Sequence, residues 1–568
     1  MTNRIDVLIV GAGPTGLTAA TLLARYNVDF RIIDKNAAPA EKSKALGVQA
    51  RTLELWDKLG LAAGAVRDGQ PLESLHLITK RTVARGGKPF MLLGRYGRDV
   101  SPYPFLLVYE QNKTERMLLA DLHRHVGPNG AYRVERRTEI VELTQHADTV
   151  QVRLRHEDQE EVVQARWLIA ADGASSFVRK TLGLDFDGAT YADPLFVADV
   201  DLSWPLSRDK FYAQIPRQGM LTFFPMRGDG YNDNQYRIIA RIPAELDTKD
   251  QLTSEDVQRI LDQHSIIDAT ITNTRWISKY RIHRRMTKQF RVGNIFLAGD
   301  AAHIHSPAGG QGMNTGIQDA WNLAWKLALV AHGKAHTALL DSYEPERMPV
   351  ARAVLMGSDR GFSLIGSPNY LLHVVRSAIL PQLTNLVSRK SAGEKVFKFL
   401  SQTWINYRNS SVVDGDRSVK AARPGDRAPY AHFDAGSPTG ESIFALLRGV
   451  DHHLLLFADD ATLNGQLCTR IDALLDAYAV PIHVHAITSA QRSIYAAYHV
   501  DAPTAVLVRP DGHIAWRGAL RHLDALAAYL ERLFNHRPQP ATRSVEVVRT
   551  PDDLVVVVAS QQDDYGND

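Results

Sequence analysis

The sequence predicts an α/β chain: a parallel nucleotide-binding sheet interleaved with an antiparallel sheet, and a smaller α/β domain at the C-terminal end. Three observations predict it. The chain opens on a continuous apolar run, Asp6-Val-Leu-Ile-Val10, which leads straight into Gly11-Ala-Gly-Pro-Thr-Gly16. Two later apolar runs also stop at a glycine–aspartate pair, one at Asp172-Gly173 and one at Gly299-Asp300. Between them, residues 191–275 alternate apolar and polar with period two, the pattern of antiparallel strands with one buried face.

The first unit reads strand, turn, helix, strand, acid. Asp6–Val10 suits a buried parallel strand, and a helical pattern runs from Leu17 to about Tyr26. A second strand, Phe30 to Ile33, ends at Asp34, which lies 21 residues after Gly13. In a Rossmann-like unit Gly11 makes the tight turn, Gly13 lets the backbone approach a pyrophosphate, and Gly16 allows close helix–strand packing. The acid receives ribose hydroxyls. This unit leaves NAD and FAD both open. In the second box, Ala165–Lys180, a strand ends at Asp172-Gly173 and serines cap the next helix. In the third, a strand from Asn294 to Ala298 ends at Gly299-Asp300. A glycine-dense turn (Gly309, Gly310, Gly312) then opens a helix near Met313. Exposed N–H groups at such a turn favour a flat or anionic ligand.

Phe211-Tyr-Ala-Gln-Ile, Met220-Leu-Thr-Phe-Phe and Gln235-Tyr-Arg-Ile-Ile-Ala-Arg-Ile read as strands of the antiparallel sheet. Residues 351–415 read as helices with little chemistry. From Pro424 the order is strand His453–Phe457, helix 467–478, strand Ile482–Ala486, a hairpin turning at Asp511-Gly512, and helix 522–534. This order resembles a thioredoxin-like fold, in which Pro503 stands at the position that fold keeps cis. No Cys-x-x-Cys is present, which excludes dithiol redox chemistry. Ser544–Val548 and Leu554–Ala559 read as a tail hairpin, with disorder expected from Gln561 onward.

Composition narrows the function. A content of 45% apolar and 23% charged residues is that of an ordinary globular protein. A net charge of +3 on 568 residues argues against nucleic acid or an acidic membrane as the main partner. The one cysteine, Cys468, rules out intrachain disulfides, and no His/Asp/Glu group has metal-ligand spacing. No signal-peptide pattern and no membrane-spanning run is visible, so a cytoplasmic protein is expected.

With three strand-end boxes spread over about 300 residues, the chain resembles the class A flavoprotein aromatic hydroxylases, the phenol hydroxylase and pentachlorophenol monooxygenase group. The wording Leu297-Ala-Gly-Asp-Ala-Ala-His303 and Gly310-Gln-Gly-Met-Asn314 is close to the family's own. The resemblance implies FAD as the bound dinucleotide. It implies a discontinuous FAD-binding domain over 1–75, 103–190 and 276–350, and a substrate-binding β domain over 76–102 and 191–275. A helical segment over 351–420, a thioredoxin-like domain over 421–540 serving structure or dimerisation, and a tail over 541–568 complete the division.

Site residues carry over by position. Gly11, Gly13, Gly16, Asp34 and Lys35 would hold the adenosine and pyrophosphate, with Lys44 the basic residue of the nearby loop. Gln111 would face the FAD sugar or ribityl region, and Asp172 belongs to the middle box. Gly299 and Asp300 would contact the ribityl or pyrophosphate portion; Gly310, Gly312, Met313 and Asn314 would line the isoalloxazine. Pro307 would present a carbonyl to the reacting edge. Arg237 takes the position of an arginine near the flavin, with a surface strand arginine as the alternative. Tyr212 and Phe223 are aromatic candidates for the substrate pocket, with a place in the core as the alternative.

The reaction implied runs from NADH or NADPH to FAD, then O2 capture as a C4a-hydroperoxide, then OH transfer to an electron-rich ring. A phenol, with an unperturbed pKa of about 10 by analogy with tyrosine, needs a cation or base to react as phenolate. Arg285 aligns with an arginine near the substrate and would lower that pKa; membership of a basic cluster with Arg281 and Arg284 is the alternative reading. The aspartate–tyrosine arrangement that phenol hydroxylase uses for deprotonation falls on Leu46 and Phe290 and is absent. A halo- or nitrophenol, already partly ionised, needs less help. His303 and His305 suit packing or hydrogen bonding. The expectation is a homodimeric phenol hydroxylase; a tailoring oxygenase for polycyclic polyketides or antibiotics and a non-oxygenating FAD reductase are its rivals.

Overall fold

The computed structural model describes residues 3–41, 45–191, 193–216, 220–228, 234–305, 309–366, 390–434, 441–459, 461–537, 545–549 and 555–559. It divides into two compact units: Met1–Ala24, Asp29–Ala320 and Met348–Thr403 form one; Arg25–Val28, Trp321–Arg347 and Trp404–Asp568 form the other.

The first unit is organised on a mixed sheet whose centre is parallel. Strand Asn3–Val10 lies between Phe30–Asp34 and Gln159–Ala170; Ile295–Leu297 flanks the latter and Val134–Arg136 the former. These strands read as apolar runs because both faces are covered; Val7, Leu8, Ile9, Ile32, Leu168 and Phe296 are wholly buried. Register brings the strand ends into line. Val10 pairs with Ile33 and Ala170, and Ala170 with Leu297, so all of these strands end level. Gly11, Asp34, Asp172 and Gly299 are therefore delivered to one edge, the carboxyl ends of parallel strands, where α/β sheets bind ligands.

A seven-stranded sheet runs in the order Thr270–Tyr280, Leu195–Ser203, Gln235–Arg241, Leu221–Pro225, Phe211–Gln214, Ser74–Ile78, Lys88–Leu92. Its two faces differ. One carries Phe196, Ala198, Tyr212, Leu221, Phe223, Tyr236 and Ile238 into a core closed by Val257, Ile260 and Leu261 of helix Ser254–His264. That helix starts at a capping box between Thr253 and Asp256. The other face carries Phe211, Ala213 and Phe224, packed with Leu46, Val108 and Met226.

The second unit contains a five-stranded sheet in the order Asp414–Gly415, Ile514–Ala519, Thr504–Val508, His452–Phe457, Ile482–Ile487. The first of its two central pairings is parallel, His452–Phe457 with Ile482–Ile487, and the second antiparallel, as a thioredoxin-like sheet requires. Gly512 takes a left-handed φ of 75° in the predicted hairpin turn. The Ala502–Pro503 peptide, expected cis, is trans; trans is the form an X–Pro bond prefers by about 0.5–1 kcal/mol unless a tight turn reverses it.

Four buried charges cluster in this unit. Glu346 accepts hydrogen bonds from Lys326, Asn322, Ser410 and both terminal nitrogens of Arg509, which also pairs with Asp511. Burial pulls the Lys326 ammonium down to about 8. Against the opposing effect of burial, Arg509 and Lys326 hold Glu346 below the usual carboxylate range, and Arg509 does the same for Asp511.

Candidate active site

The GxGxxG turn shows which glycines serve the fold and which serve a ligand. A Cβ on Gly11 (φ 99°) would stand 2.3 Å from the Ala171 carbonyl oxygen, and one on Gly16 would stand 1.9 Å from that of Gly11. Those two are fixed by close backbone packing. Gly13 has no atom within 4 Å of its Cβ position, so its open flank admits an approaching group. Helix Pro14–Arg25 begins one residue later, so its positive N-terminal end lies beside that flank. Asp34 is fixed by N–H groups of Ala12 and Asn36, each at 2.8 Å, with Arg136 at 3.8 Å; Lys35 beside it is exposed.

The middle box adds Asp172 at the same edge. One carboxylate oxygen accepts the Val178 N–H at 3.2 Å, while the other is buried without a partner. Ser176 caps helix Phe177–Thr181 through the Arg179 N–H at 3.0 Å, as the serines in the sequence suggest. Arg179 itself donates to the Ala301 carbonyl at 2.8 Å and so ties this box to the third one.

In the third box Thr15, from the first turn, is clasped between Gly299 and Gly316: a Cβ on either would stand 2.5 Å from its hydroxyl oxygen. Asp319 receives the Gly299 N–H at 3.1 Å and His303 Nε2 at 2.7 Å. Asp300 is left exposed on the 3₁₀ turn Gly299–Ala301. Gly309 and Gly310 both take left-handed φ values, 81° and 62°, and Gly312 has open space at its Cβ position. Met313 comes next, in the first turn of helix Gly312–Ala331.

The Asn314 side chain is spent within the protein. Its side-chain oxygen accepts from Gln49 N–H (2.9 Å) and Thr52 (2.7 Å), and its amide donates to the carbonyls of Gly47 (2.9 Å) and Gly310 (2.7 Å). Both donors and both acceptor positions are spent, so the side chain is the knot that holds the glycine turn against the Gly47–Thr52 segment. Gln49 adds a bond to the Gly309 carbonyl at 2.7 Å. Thr15, Gln49, Thr52 and Arg179 are the residues sequence reasoning missed; only Thr15 and Arg179, inside the first and second motifs, carried a signal. Gln111 opens helix Gln111–Leu122, its N–H bonded to the Ala45 carbonyl and its amide to Glu115. Lys44 and Pro307 lie outside the described residues.

Tyr212 and Phe223 require correction. They pair directly across neighbouring strands, are 1% and 0% exposed, and pack with Trp204 in the core under helix Ser254–His264. Both take the place in the core that was the alternative reading. The neighbours one position away, Phe211 and Phe224, point to the opposite face, which Arg237 shares as the cross-strand partner of Phe224. Arg237 is no surface residue: it is 1% exposed and bidentate to Asp199 at 2.6 and 2.7 Å, with its remaining nitrogen, Nη1, buried and unpartnered. Arg285 is half-buried in strand His283–Met286, paired with Ile304, and its Nε is likewise buried without a partner. His303 is held by Asp319, and His305 packs ring to ring on it at 4.8 Å, in keeping with packing and hydrogen-bonding parts.

These residues fit FAD: an open glycine flank, a fixed acid beside it, an unspent buried carboxylate oxygen on Asp172 and a second, double-glycine turn all converge on one sheet edge. Among the described residues no group of three or more His, Cys, Asp or Glu forms a metal site, and no helix is long and apolar enough to cross a membrane.

Comparison with known proteins agrees with this geometry. The FAD binding domain family matches residues 4–358, and the aromatic-ring hydroxylase C-terminal family matches residues 421–537. The chain is 33% identical to 6-methylpretetramide 4-monooxygenase of Streptomyces rimosus, over 93% of each protein. It is 31% identical to pentachlorophenol 4-monooxygenase of Sphingobium chlorophenolicum, over 93% of this chain and 96% of that one. Among solved structures, anhydrotetracycline hydroxylase of Streptomyces rimosus superposes with a TM-score of 0.72 at 28% identity, covering 95% of this chain and all of the other.

Proposed function

The chain belongs to the family of FAD-dependent aromatic-ring monooxygenases, and from that premise we propose that it uses NAD(P)H and O2 to hydroxylate a phenolic ring. The observation that carries the phenolic reading is Arg237, a buried cation with an unspent nitrogen on an apolar face of the seven-stranded sheet. A fixed cation in such surroundings favours the ionised form of a ring hydroxyl. The relative that acts on pentachlorophenol supports the same reading.

Bound FAD, once reduced by NAD(P)H, supplies the activated oxygen that no side chain can. The rest falls to the protein. Asp34 holds the adenosine ribose, and the open flank of Gly13 and the helix behind it take the pyrophosphate. Asp300 and Gln111 hold the ribityl region, and Asp172, Lys35 and Lys44 complete the cofactor set. Backbone N–H groups of Gly310, Gly312 and Met313 would offset negative charge at the ring edge; Pro307 and Arg285 are assigned to the reaction with Arg237. Phe211 and Phe224 supply the apolar wall that excludes water.

The test is NADH and NADPH oxidation by the yellow enzyme against a panel of phenols, with O2 uptake and product mass followed. Phenol-stimulated O2 uptake and a gain of one oxygen are expected, and release of halide or nitrite would mark a displacing reaction. Reductant consumption without O2 uptake would identify a reductase and refute the proposal. A polycyclic substrate is the second reading, favoured by the relatives named for 6-methylpretetramide and anhydrotetracycline. A tricyclic or tetracyclic phenol preferred by kcat/KM over every single-ring phenol in the panel would decide for it.

A further inference from the structure

The geometry points to Glu110 as the carboxylate that takes the proton from the ring hydroxyl, with Arg237 as the cation beside the resulting oxyanion. This inference rests on the phenolic reading above.

Glu110 stands where strand Leu106–Val108 passes into helix Gln111–Leu122, and it is the residue capping that helix. The backbone on both sides of it is sewn to the segment leading into the glycine turn. Tyr109 N–H donates to the Leu46 carbonyl at 2.8 Å, and Gln111 N–H to that of Ala45 at 3.2 Å. The next residue in that segment, Gly47, abuts Gly310: its Cβ position lies 3.9 Å from the Gly310 Cα. On the other side, one carboxylate oxygen of Glu110 meets Lys113 at 3.1 Å, and Lys113 donates to the Arg227 carbonyl at 2.6 Å. Arg227 lies just past strand Leu221–Pro225, whose Phe224 pairs with Arg237. Glu110 thus sits between the Ala45–Gly47 segment and the residues that follow strand Leu221–Pro225, with Leu46, Phe211 and Phe224 in one apolar cluster nearby.

Two polar atoms in this neighbourhood are unspent. Glu110 Oε2 is buried with no hydrogen-bond partner, and so is Arg237 Nη1. Buried polar groups are ordinarily satisfied, and the charge of Arg237 reaches Glu110, so a group that met both atoms would satisfy each. A ring hydroxyl is such a group: its O–H would donate to Oε2 and its oxygen would accept from Nη1. Burial raises the Glu110 carboxyl, while the charges of Lys113 and Arg237 act to lower it, so it is a better base than an exposed glutamate. The groups facing it are Lys113 from its own helix, Arg237 from the sheet with Asp199 behind it, and the phenol of Tyr109.

The step balances without any oxidant. The ring O–H bond breaks and an H–Oε2 bond forms; negative charge passes from the carboxylate to the ring oxygen beside the guanidinium. The proton returns to that oxygen when the product regains its hydroxyl. An ordinary phenol, with a pKa of about 10, lies far above a raised carboxyl, so the substrate class that fits is the acidic phenol, carrying an electron-withdrawing halogen, nitro or carbonyl group.

The experiment uses the FAD-loaded enzyme without reductant and 4-nitrophenol as probe, whose anion absorbs visible light. At saturation the ratio of bound phenolate to bound phenol is read across pH. In the unsubstituted protein the proton stays on Glu110, so phenolate forms and its ratio is flat with pH below the probe's own pKa. In Glu110→Gln each phenolate must release its proton to buffer, so the ratio climbs about tenfold per pH unit. Glu110→Asp restores a weaker plateau, and an unchanged flavin spectrum shows that each variant has folded. A tenfold climb per unit in both the unsubstituted protein and Glu110→Gln overturns the role of Glu110 and leaves the phenolic reading standing. A probe that fails to bind, or binds only as neutral phenol, overturns both.

Discussion

Replacing Glu346 by Gln removes the central charge of the buried cluster in the second unit while keeping its shape. Glu346 accepts five hydrogen bonds, from Lys326, Asn322, Ser410 and twice from Arg509, and its side chain is wholly buried. The variant leaves Lys326 and Arg509 facing only Asp511. Removing one partner of a buried pair costs about 3–5 kcal/mol, because the orphaned charge stays out of water. At roughly 2–4 °C per kcal/mol for a unit of this size, its melting transition should fall by about 6–20 °C. Glu346 and Asp511 are both held below the ordinary carboxylate range, so their stabilisation is complete above the unfolded-state value of about 4 and is lost as pH falls through their depressed folded-state values. Glu346→Gln should therefore narrow its gap to the unsubstituted protein in acid. Calorimetric scans near neutral pH and at the lowest pH where the fold survives read both effects. A shift under about 1 °C near neutrality would mean that desolvation cancels the pairing, and would refute the reasoning.

Gly16→Ala should abolish flavin retention, because its Cβ would stand 1.9 Å from the Gly11 carbonyl oxygen; the flavin-to-protein absorbance ratio measures it. Phe223→Ala and Phe224→Ala, one residue apart, should fail differently. The first empties the packed core and costs about 3–5 kcal/mol of stability, while the second raises KM for the ring substrate with a smaller loss in melting temperature. Arg237→Lys keeps the charge but not the bidentate geometry to Asp199, so kcat/KM should fall by at least about tenfold while FAD stays bound; stopped-flow and steady-state assays check it.

What was legible in the sequence was whatever the backbone itself demands. Gly11 and Gly16 admit no other side chain, and a buried parallel strand must be apolar throughout, so the strand-end boxes announce themselves. The faces of the antiparallel sheet did not. Aromatic residues stand in adjacent pairs, Phe211-Tyr212 and Phe223-Phe224, so alternation alone does not tell which member meets the core. That is decided by Val257, Ile260 and Leu261 on a helix some forty residues away. The structural part of Asn314 was hidden for a related reason. It stands in a cofactor motif, but its four bonds run to Gly47, Gln49, Thr52 and Gly310, and no local pattern announces a partner more than 250 residues distant. Glu110 belongs to no motif at all and emerges only once the atoms around it are counted.

Level strand ends have a consequence for how the molecule is made. Asn3 waits for Val163 and Leu168 for Ile295, so the cradle has no third wall until more than half the polypeptide has left the ribosome. Closing such long loops costs only slightly more than closing short ones, but the closures come late and in sequence, and they favour slow assembly. The cofactor therefore waits for the second half of synthesis to begin, and a nascent chain halted before Gly299 should emerge colourless however much flavin surrounds it.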